Sequence, residues 1–426
     1  MVDNNDGCSV LATMFSLLPH DLIRKEIIPL VALDWLFVNH FWYNISFPSL
    51  LRDRRIDPSF KTNNAIRKAA THGYDKVVAL LLADTRVNPT VGDNWPIRYA
   101  ARGGHVAVVA LLLADPRVDP SAFNNDAALF AANNGHDQIV AMLLADERVW
   151  PTRRPFYASH CAIRYAARNG HDQVIKLLLA DRRRFDPGAE DNAALCCAST
   201  NGHETTVALL LADPSVDPTV RMSKPIRDAA AGGHADVVEI LLRDGRSDPS
   251  VFDNEPIRAA SKYGHDEVVA LLLADHRVTP SALADYALRL AAENGHDKVV
   301  QLLLADPRVD PTVNDNEPIR MAATNGHDKV VTLLIADGRC DPAANENEPI
   351  REAAKHGYYR VVQRLLANPA VNPAAFCDEA IRAAAENGHD DVVMLLLSDP
   401  RTYAGQPRHA VLQQLDKMFC RTINTS

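Results

Sequence analysis

Between residues 316 and 342 the chain reads NEPIRMAATNGHDKVVTLLIADGRCDP, and its apolar positions fall into two short helical patterns. Ile319, Ala322 and Ala323 stand at i, i+3 and i+4, which places them on one face of a first helix. Pro318 suits the first turn of that helix, where a missing N–H costs nothing. Gly326 ends it, because a left-handed residue after the last turn is nearly free of cost for glycine. Asp328 opens a second helix with a carboxylate at the positive end of its dipole. Val330, Val331, Leu333, Leu334 and Ile335 give that helix a wide apolar face. Asp337 and Gly338 close it, and Pro342 keeps the connection from resuming as helix. A helix–turn–helix–loop of this size cannot bury its own apolar face, so it must stack on copies of itself.

The copies are there. NGHDKVV occupies residues 294–300 and again 325–331. Its glycine returns as Gly73, Gly104, Gly135, Gly170, Gly202, Gly233, Gly264, Gly295, Gly326, Gly357 and Gly388, in steps of 31, 31, 35, 32 and then six of 31. Histidine follows nine of these glycines, and Tyr74 and Tyr358 follow the other two. A fixed period in this range marks a repeat architecture. The expected organisation is a tail over residues 1–12, a helical segment over 13–56, eleven repeats over 57–404, and a cap helix with a tail over 405–426. The cap is read from Val411, Leu412, Leu415 and Phe419, which have helical spacing.

These motifs resemble the ankyrin repeat. The shared pattern is x-P-I-R-x-A-A-x-N-G-H-x-x-V-V-x-L-L-L, against the family's T-P-L-H-x-A-A-x-x-G-H-x-x-V-V-x-L-L-L, and it covers residues 57–404. The resemblance implies an all-α solenoid with helical caps that binds another protein, catalyses nothing and needs no cofactor. The period of 31 is shorter than the family's usual length of about 33. The short form is of the type seen in amoebae and their large viruses, and the missing residues fall in the segment of the family's projecting hairpin. Glu317-Pro318-Ile319-Arg320 replaces T-P-L-H, so the family's histidine contacts have no counterpart there. After the second helix, Gly245 and Gly338 give way in four other copies to Pro116, Pro214, Pro307 and Pro400. Proline holds φ near about −65°, so a backbone shared by all copies would have negative φ at this position.

The Gly-His-Asp run looks like chemistry, yet eleven copies work as an internal control: what every copy shares is what every repeat needs. Packed helices lie about 8–10 Å apart, while two nitrogens on one zinc, each about 2.1 Å from it, can be only about 3–4 Å apart. Ladder-related histidines cannot converge like that, so His105, His136, His171, His203, His234, His265, His296, His327 and His389 read as scaffold, not as metal ligands. Six residues before the glycine, nine copies carry arginine: Arg67, Arg98, Arg164, Arg227, Arg258, Arg289, Arg320, Arg351 and Arg382. Its expected work is to hydrogen-bond carbonyls or carboxylates between repeats. The other reading is a basic stripe for an acidic partner, which Glu255, Glu317 and Glu348 would partly neutralise.

Composition narrows the function further. A net charge of −9 over 426 residues argues against a nucleic-acid-binding role, which needs a basic face. The seven cysteines show neither CxxC nor zinc spacing, and read as free thiols of a reducing compartment. The amino terminus lacks the basic region of a signal peptide, and the apolar run over residues 27–38 is too short to span a bilayer. The expected location is cytoplasmic, the host cytoplasm for a viral chain, with no membrane partner. No phosphate-binding loop, HExxH or GxSxG motif occurs, so the expectation is a protein that is not an enzyme.

Two segments carry candidate contacts. Residues 13–56 are either a divergent cap, which a solenoid needs over its exposed end, or an F-box-like segment. Leu18-Pro19, Leu22, Ile27-Ile28, Leu30, Asp34, Val38 and Trp42 are similar to the F-box pattern, with about three residues fewer before Val38. That resemblance implies docking on the Skp-type adaptor of a cullin ubiquitin ligase through Leu18, Pro19, Ile28 and Leu30. The second segment is residues 95–185, where both irregular spacings lie and arginines and aromatics concentrate. Insertions in repeat proteins map to loops, often on the binding face, and Arg, Trp and Tyr dominate interface hot spots. The candidate target-binding residues are Trp95, Phe123, Trp150, Arg153, Arg154, Phe156, Tyr157, Arg168 and Arg183. The alternative is drift, in which a damaged repeat fills its own gaps with aromatics.

Overall fold

The computed structural model of the chain describes residues 59–149, 156–181 and 184–403. Among these residues the regular structure is all-helical, as expected, with 22 α-helices, a closing 3₁₀ turn over Pro400–Tyr403 and no strand. The chain divides into two compact units, residues 1–190 and 191–426. The first holds α1 (Phe60–Thr71), α2 (Asp75–Leu82), α3 (Val91–Arg102), α4 (Val106–Ala114), α5 (Ala122–Asn133), α6 (Asp137–Ala145), α7 (Phe156–Arg168) and α8 (Asp172–Leu179). The second starts within α9 (Ala189–Thr200) and continues through α10 (Glu204–Leu211), α11 (Val220–Gly232), α12 (Ala235–Asp244), α13 (Val251–Tyr263), α14 (Asp266–Ala274), α15 (Ala282–Asn294) and α16 (Asp297–Ala305). It closes with α17 (Val313–Thr324), α18 (Asp328–Asp337), α19 (Ala344–Lys355), α20 (Tyr359–Leu366), α21 (Ala375–Glu386) and α22 (Asp390–Ser398). Within each unit, first helices pack on the first helices of neighbouring repeats and second helices on second helices.

The core is the periodic pattern made solid. Ile319, Ala322, Ala323, Val330, Val331 and Leu334 are fully buried, and so are their counterparts along each unit. Alanines on the first helix let the neighbouring backbone approach closely, which a larger side chain would prevent. Leu333 and Ile335, expected on the apolar face, are only half-buried; the buried arc is narrower than the apolar one. The loops add a further layer: Val87, Val118, Val149, Phe185, Val216, Val278, Val309 and Val371 point inward, with Ser247 and Cys340 in the same place.

Among the described residues, the first helices other than α7 are entered through a left-handed turn. Asn314, Asp315 and Asn316 have φ of 51°, 57° and 59°, and the right-handed helix begins only after them, with Pro318 in its first turn. The same triplet appears at residues 123–125, 252–254 and 345–347. Asn, Asp and Gly tolerate this region best. The third residue of the triplet earns its conformation by a clip between repeats. Asn316 Oδ1 accepts the N–H of Asp341 at 2.8 Å, Asn94 that of Asp119 at 2.9 Å and Asn254 that of Thr279 at 2.7 Å. The Asp-Pro-Thr and Asp-Pro-Ser runs just before are Asx turns: Asp310 Oδ1 accepts both the N–H and the hydroxyl of Thr312.

The end of the second helix corrects one expectation. Gly245 and Gly338 are left-handed, with φ of 80° and 79°. Before Pro116, Pro307 and Pro400 the helix stops one residue earlier, at an extended Asp115, Asp306 or Asp399. The copies therefore do not share one backbone here. Two loop geometries coexist, and the residue after the aspartate selects between them.

Candidate target-binding surface

The histidines join repeats. His296 Nε2 hydrogen-bonds the carbonyl of Lys262 at 2.9 Å, His327 that of Glu293 at 2.9 Å and His105 that of Thr71 at 2.9 Å. Because Nε2 faces a carbonyl, the ring carries its proton there and donates it. These rings lie against the glycine of the preceding repeat, so closely that a Cβ on Gly295 would stand 2.5 Å from His327 Nδ1. Among the described residues no group of three His, Cys, Asp or Glu side chains could hold a metal ion.

A second set of arginines locks the loops. Arg339 pairs with Asp337 and donates back to the carbonyls of Val309 at 2.8 Å and Leu304 at 2.9 Å. Its hydrogen bond holds the Asp337 carboxyl below the usual range, against burial, and the same is true of Asp115 beside Arg117 and Asp306 beside Arg308. The described cysteines are free, and burial pushes the thiols of Cys196 and Cys340 up to about 11 and about 12. Thiols so raised stay protonated and unreactive.

The exposed face of the first helices is where the repeats differ. The arginine six residues before the glycine reaches a carboxylate of the next repeat, as one of its two readings required. Arg98 meets Asp126 at 2.7 Å, Arg227 Glu255 at 2.5 Å, Arg289 Glu317 at 2.7 Å and Arg320 Glu348 at 2.7 Å, and Arg351 pairs with Glu379. Burial works against the Glu317 carboxylate, but Arg289 and the Asn314 amide outweigh it and its pKa is lowered. These arginines are stapled in place by ion pairs that vary little from repeat to repeat.

Arg67 in the first unit departs from that rule, as does Arg258 in the second, which lies 5.7 Å from the Tyr286 ring. In α3, Trp95, Tyr99 and Arg102 stand at i, i+4 and i+7, on one face. Trp95 and Tyr99 stack with centroids 3.9 Å apart and planes 7° from parallel. Arg67 lies over Trp95 at 4.4 Å, and Arg102 lies 5.9 Å from the Tyr99 ring and 5.4 Å from that of Phe130. Arg98 covers Phe123 at 4.4 Å.

Of the sequence candidates, Trp95 is half-buried in this stack, Phe123 is 61% exposed, and Arg168 is exposed at the end of α7. Phe156 and Tyr157 open α7, but their side chains lie outside the described residues, as do Trp150, Arg153, Arg154 and Arg183. The adaptor candidates Leu18, Pro19, Ile28 and Leu30 also lie outside them. Three arginines of the 148–184 cluster are engaged in the scaffold. Arg148 clamps Asp146 and the Val118 carbonyl, Arg184 clamps Asp181 and the Leu144 carbonyl, and Arg164 pairs with Glu190. Phe185 is core, at 1% exposure. The sequence reading did not single out Tyr99, Phe130 or Arg102, and named Arg67 only as one of the nine repeat arginines. The signal was an aromatic five residues before the glycine in three consecutive repeats: Tyr99, Phe130 and Tyr165.

The family model described as ankyrin repeats, in three copies, matches residues 128–222, 257–346 and 288–376, together just over half of the chain. The chain belongs to the ankyrin-repeat family. A comparison with curated proteins finds no match. An ankyrin array presents its repeats for binding another protein, and in this one a left-handed turn leads into the described first helices other than α7. Among the described residues no helix is long and apolar enough to cross a membrane.

Proposed function

We propose that this ankyrin-repeat chain is a non-catalytic, cytoplasmic scaffold that holds a target protein on the first-helix face of its repeats. One observation carries the reading. The left-handed turns share one backbone, yet their outward residues run through every chemical class: Gly92 and Asp93, Phe123 and Asn124, Arg221 and Met222, Leu283 and Ala284. Phe123, Met222, Phe252, Leu283 and Phe376 are large apolar side chains left exposed at these turns. A fixed frame with variable, partly apolar tips is what recognition needs, whereas solubility alone would favour polar tips. Residues 95–185 are the proposed centre of contact, with Arg153 and Arg154 reaching the target from the lengthened loop and Phe156 and Tyr157 from the start of α7. Changing Arg153 and Arg154 to Glu should lose target capture at an unchanged melting temperature; unchanged capture would remove that loop from the site.

Within this reading the chain serves as substrate receptor of a cullin-type ubiquitin ligase, supported by the F-box-like pattern at Leu18, Pro19, Ile28 and Leu30. The second reading is a stand-alone competitor that masks its target, favoured by the short spacing before Val38. Precipitating the tagged full chain from cells and probing for the Skp-type adaptor and cullin separates them. Adaptor recovered with the parent chain but not with Leu18→Asp/Ile28→Asp, at equal melting temperature, supports the receptor; no adaptor leaves the competitor.

A further inference from the structure

The repeats show what the arginine six residues before the glycine is built to hold. In five of them a carboxylate nine residues before the next glycine meets it: Asp126, Glu255, Glu317, Glu348 and Glu379. Facing Arg67, that position is Trp95. The Arg67 guanidinium stacks on the indole, and among the described residues it makes no ion pair and its Nε has no hydrogen-bond partner. Two turns along the same face, Arg102 is exposed and among the described residues its guanidinium meets only the rings of Tyr99 and Phe130. Arg67 thus lacks the carboxylate that five sister repeats supply internally, and among the described residues Arg102 stands on the same aromatic face with no carboxylate partner.

We propose that the face formed by Arg67, Trp95, Tyr99, Arg102 and Phe130 takes an acidic segment of the partner protein, whose carboxylates seat on Arg67 and Arg102 as Glu255 seats on Arg227. The proposal rests on the reading that the first-helix face holds the target, and names the chemistry of that target. Three features favour it. Ring stacking holds both guanidiniums in place before binding, so little side-chain entropy remains to be lost when a carboxylate arrives. The half-buried rings displace water beside the cations, which strengthens an arriving ion pair. The chain as a whole is acidic at −9, so this patch stands against its background and steers an anionic segment to itself. A single-stranded nucleic acid, the other polyanion, would need free ring faces for its bases. The Trp95 ring is already covered by Arg67 and Tyr99, and Arg102 lies against the Tyr99 ring.

The test titrates the full chain with fluorescein-labelled deca-glutamate, deca-lysine and deca-thymidine, followed by anisotropy at low and high salt. Deca-glutamate should bind, and less at high salt, because exposed charges are screened. Trp95→Glu places a carboxylate before Arg67, as in the sister repeats, so the melting temperature should hold while affinity for deca-glutamate falls by about tenfold or more, about 1.4 kcal/mol. Arg102→Gln, on an exposed side chain, should weaken it in the same direction and decides the matter if Trp95→Glu lowers the melting temperature. Binding of deca-lysine or deca-thymidine as tight as that of deca-glutamate overturns the proposal, and so does indifference to both substitutions. Capture of the cellular target by the same variants separates the two readings. If capture is lost but deca-glutamate never binds, the face stands and its acidic partner falls; if capture is unchanged, both fall.

Discussion

Replacing Gly295 by alanine sets two costs against each other at one atom. Gly295 has φ +77°, and a left-handed alanine costs about 1–2 kcal/mol. The new Cβ would also lie 2.5 Å from Nδ1 and 2.7 Å from Cε1 of His327, whereas carbon contacts settle at about 3.5–4 Å, so the ring must move by about 1 Å. That motion breaks the 2.9 Å bond from His327 Nε2 to the Glu293 carbonyl, worth about 0.5–1.5 kcal/mol. The sum is about 1.5–3.5 kcal/mol. Gly338 supplies the comparison: its φ is +79°, and among the described residues nothing lies within 4 Å of its would-be Cβ. Gly338→Ala should therefore cost only the backbone share, about 1–2 kcal/mol. Because an array of repeats need not unfold in one step, the assay pairs thermal melting with hydrogen exchange in α15 and α16. The decisive measurement is the cycle with His327→Ala. With the ring gone, Gly295→Ala should cost no more than Gly338→Ala. Costs that simply add would mean that the histidine is not what the glycine makes room for.

Three further outcomes follow from single positions. Ser247 is fully buried where most repeats have valine, and its hydroxyl has no partner among the described residues; Ser247→Val should raise stability by about 1–2 kcal/mol, read as a higher melting temperature. Burial pushes the Asp285 carboxyl up, against the Asp310 N–H that lowers it, so the folded chain pays for its charge once the pH has risen through the folded value. Asp285→Asn should stabilise at pH 7, and the gain should fade as the pH falls towards the ordinary value of 3.8. Leu334→Ala, at a fully buried site, should cost about 2–5 kcal/mol, and half-buried Leu333→Ala clearly less; equal losses would contradict the buried arc described for α18.

Much of this architecture is legible in the chain because the repeat averages out local noise. Gly326, the Ile319–Ala322–Ala323 spacing and the Val330–Val331 pair name both helices and the turn between them, and each is where it was expected. Other features resist reading for physical reasons. A helix with five neighbouring apolar residues does not say which of Leu333 and Leu334 faces inward; only the crossing of the next repeat does. The Asn316 clip joins groups 25 residues apart in sequence, so no local pattern announces it. The left-handed turn is suggested by Asn314-Asp315-Asn316 but hidden by Phe376-Cys377-Asp378, which adopts it all the same. The glutamates three residues before Arg258, Arg320 and Arg351 looked like neutralisers within their own repeats. They serve the arginine of the repeat before. On the candidate surface, Trp95 and Phe123 were visible as aromatics and Arg67 only as one of nine repeat arginines, whereas Arg102 was not visible, because an arginine without its carboxylate looks in sequence like any other.

Three kinds of bond between repeats share one direction, opposite to that of the first-helix arginines, which donate to a carboxylate 28 residues later. The histidine donates to a carbonyl 34 residues earlier, the loop arginine to carbonyls 30 and 35 residues earlier, and the loop N–H to an asparagine 25 residues earlier. In each case the donor belongs to the later repeat and the acceptor to the earlier one. A chain leaving the ribosome amino end first therefore presents finished acceptors to every new repeat, and none of these three bonds has to wait for residues still to be made. Until the next repeat arrives, water can satisfy the waiting carbonyls, while the incoming His and Arg bring their own protons. The array can lengthen during synthesis one repeat at a time, each addition closing on a surface already complete.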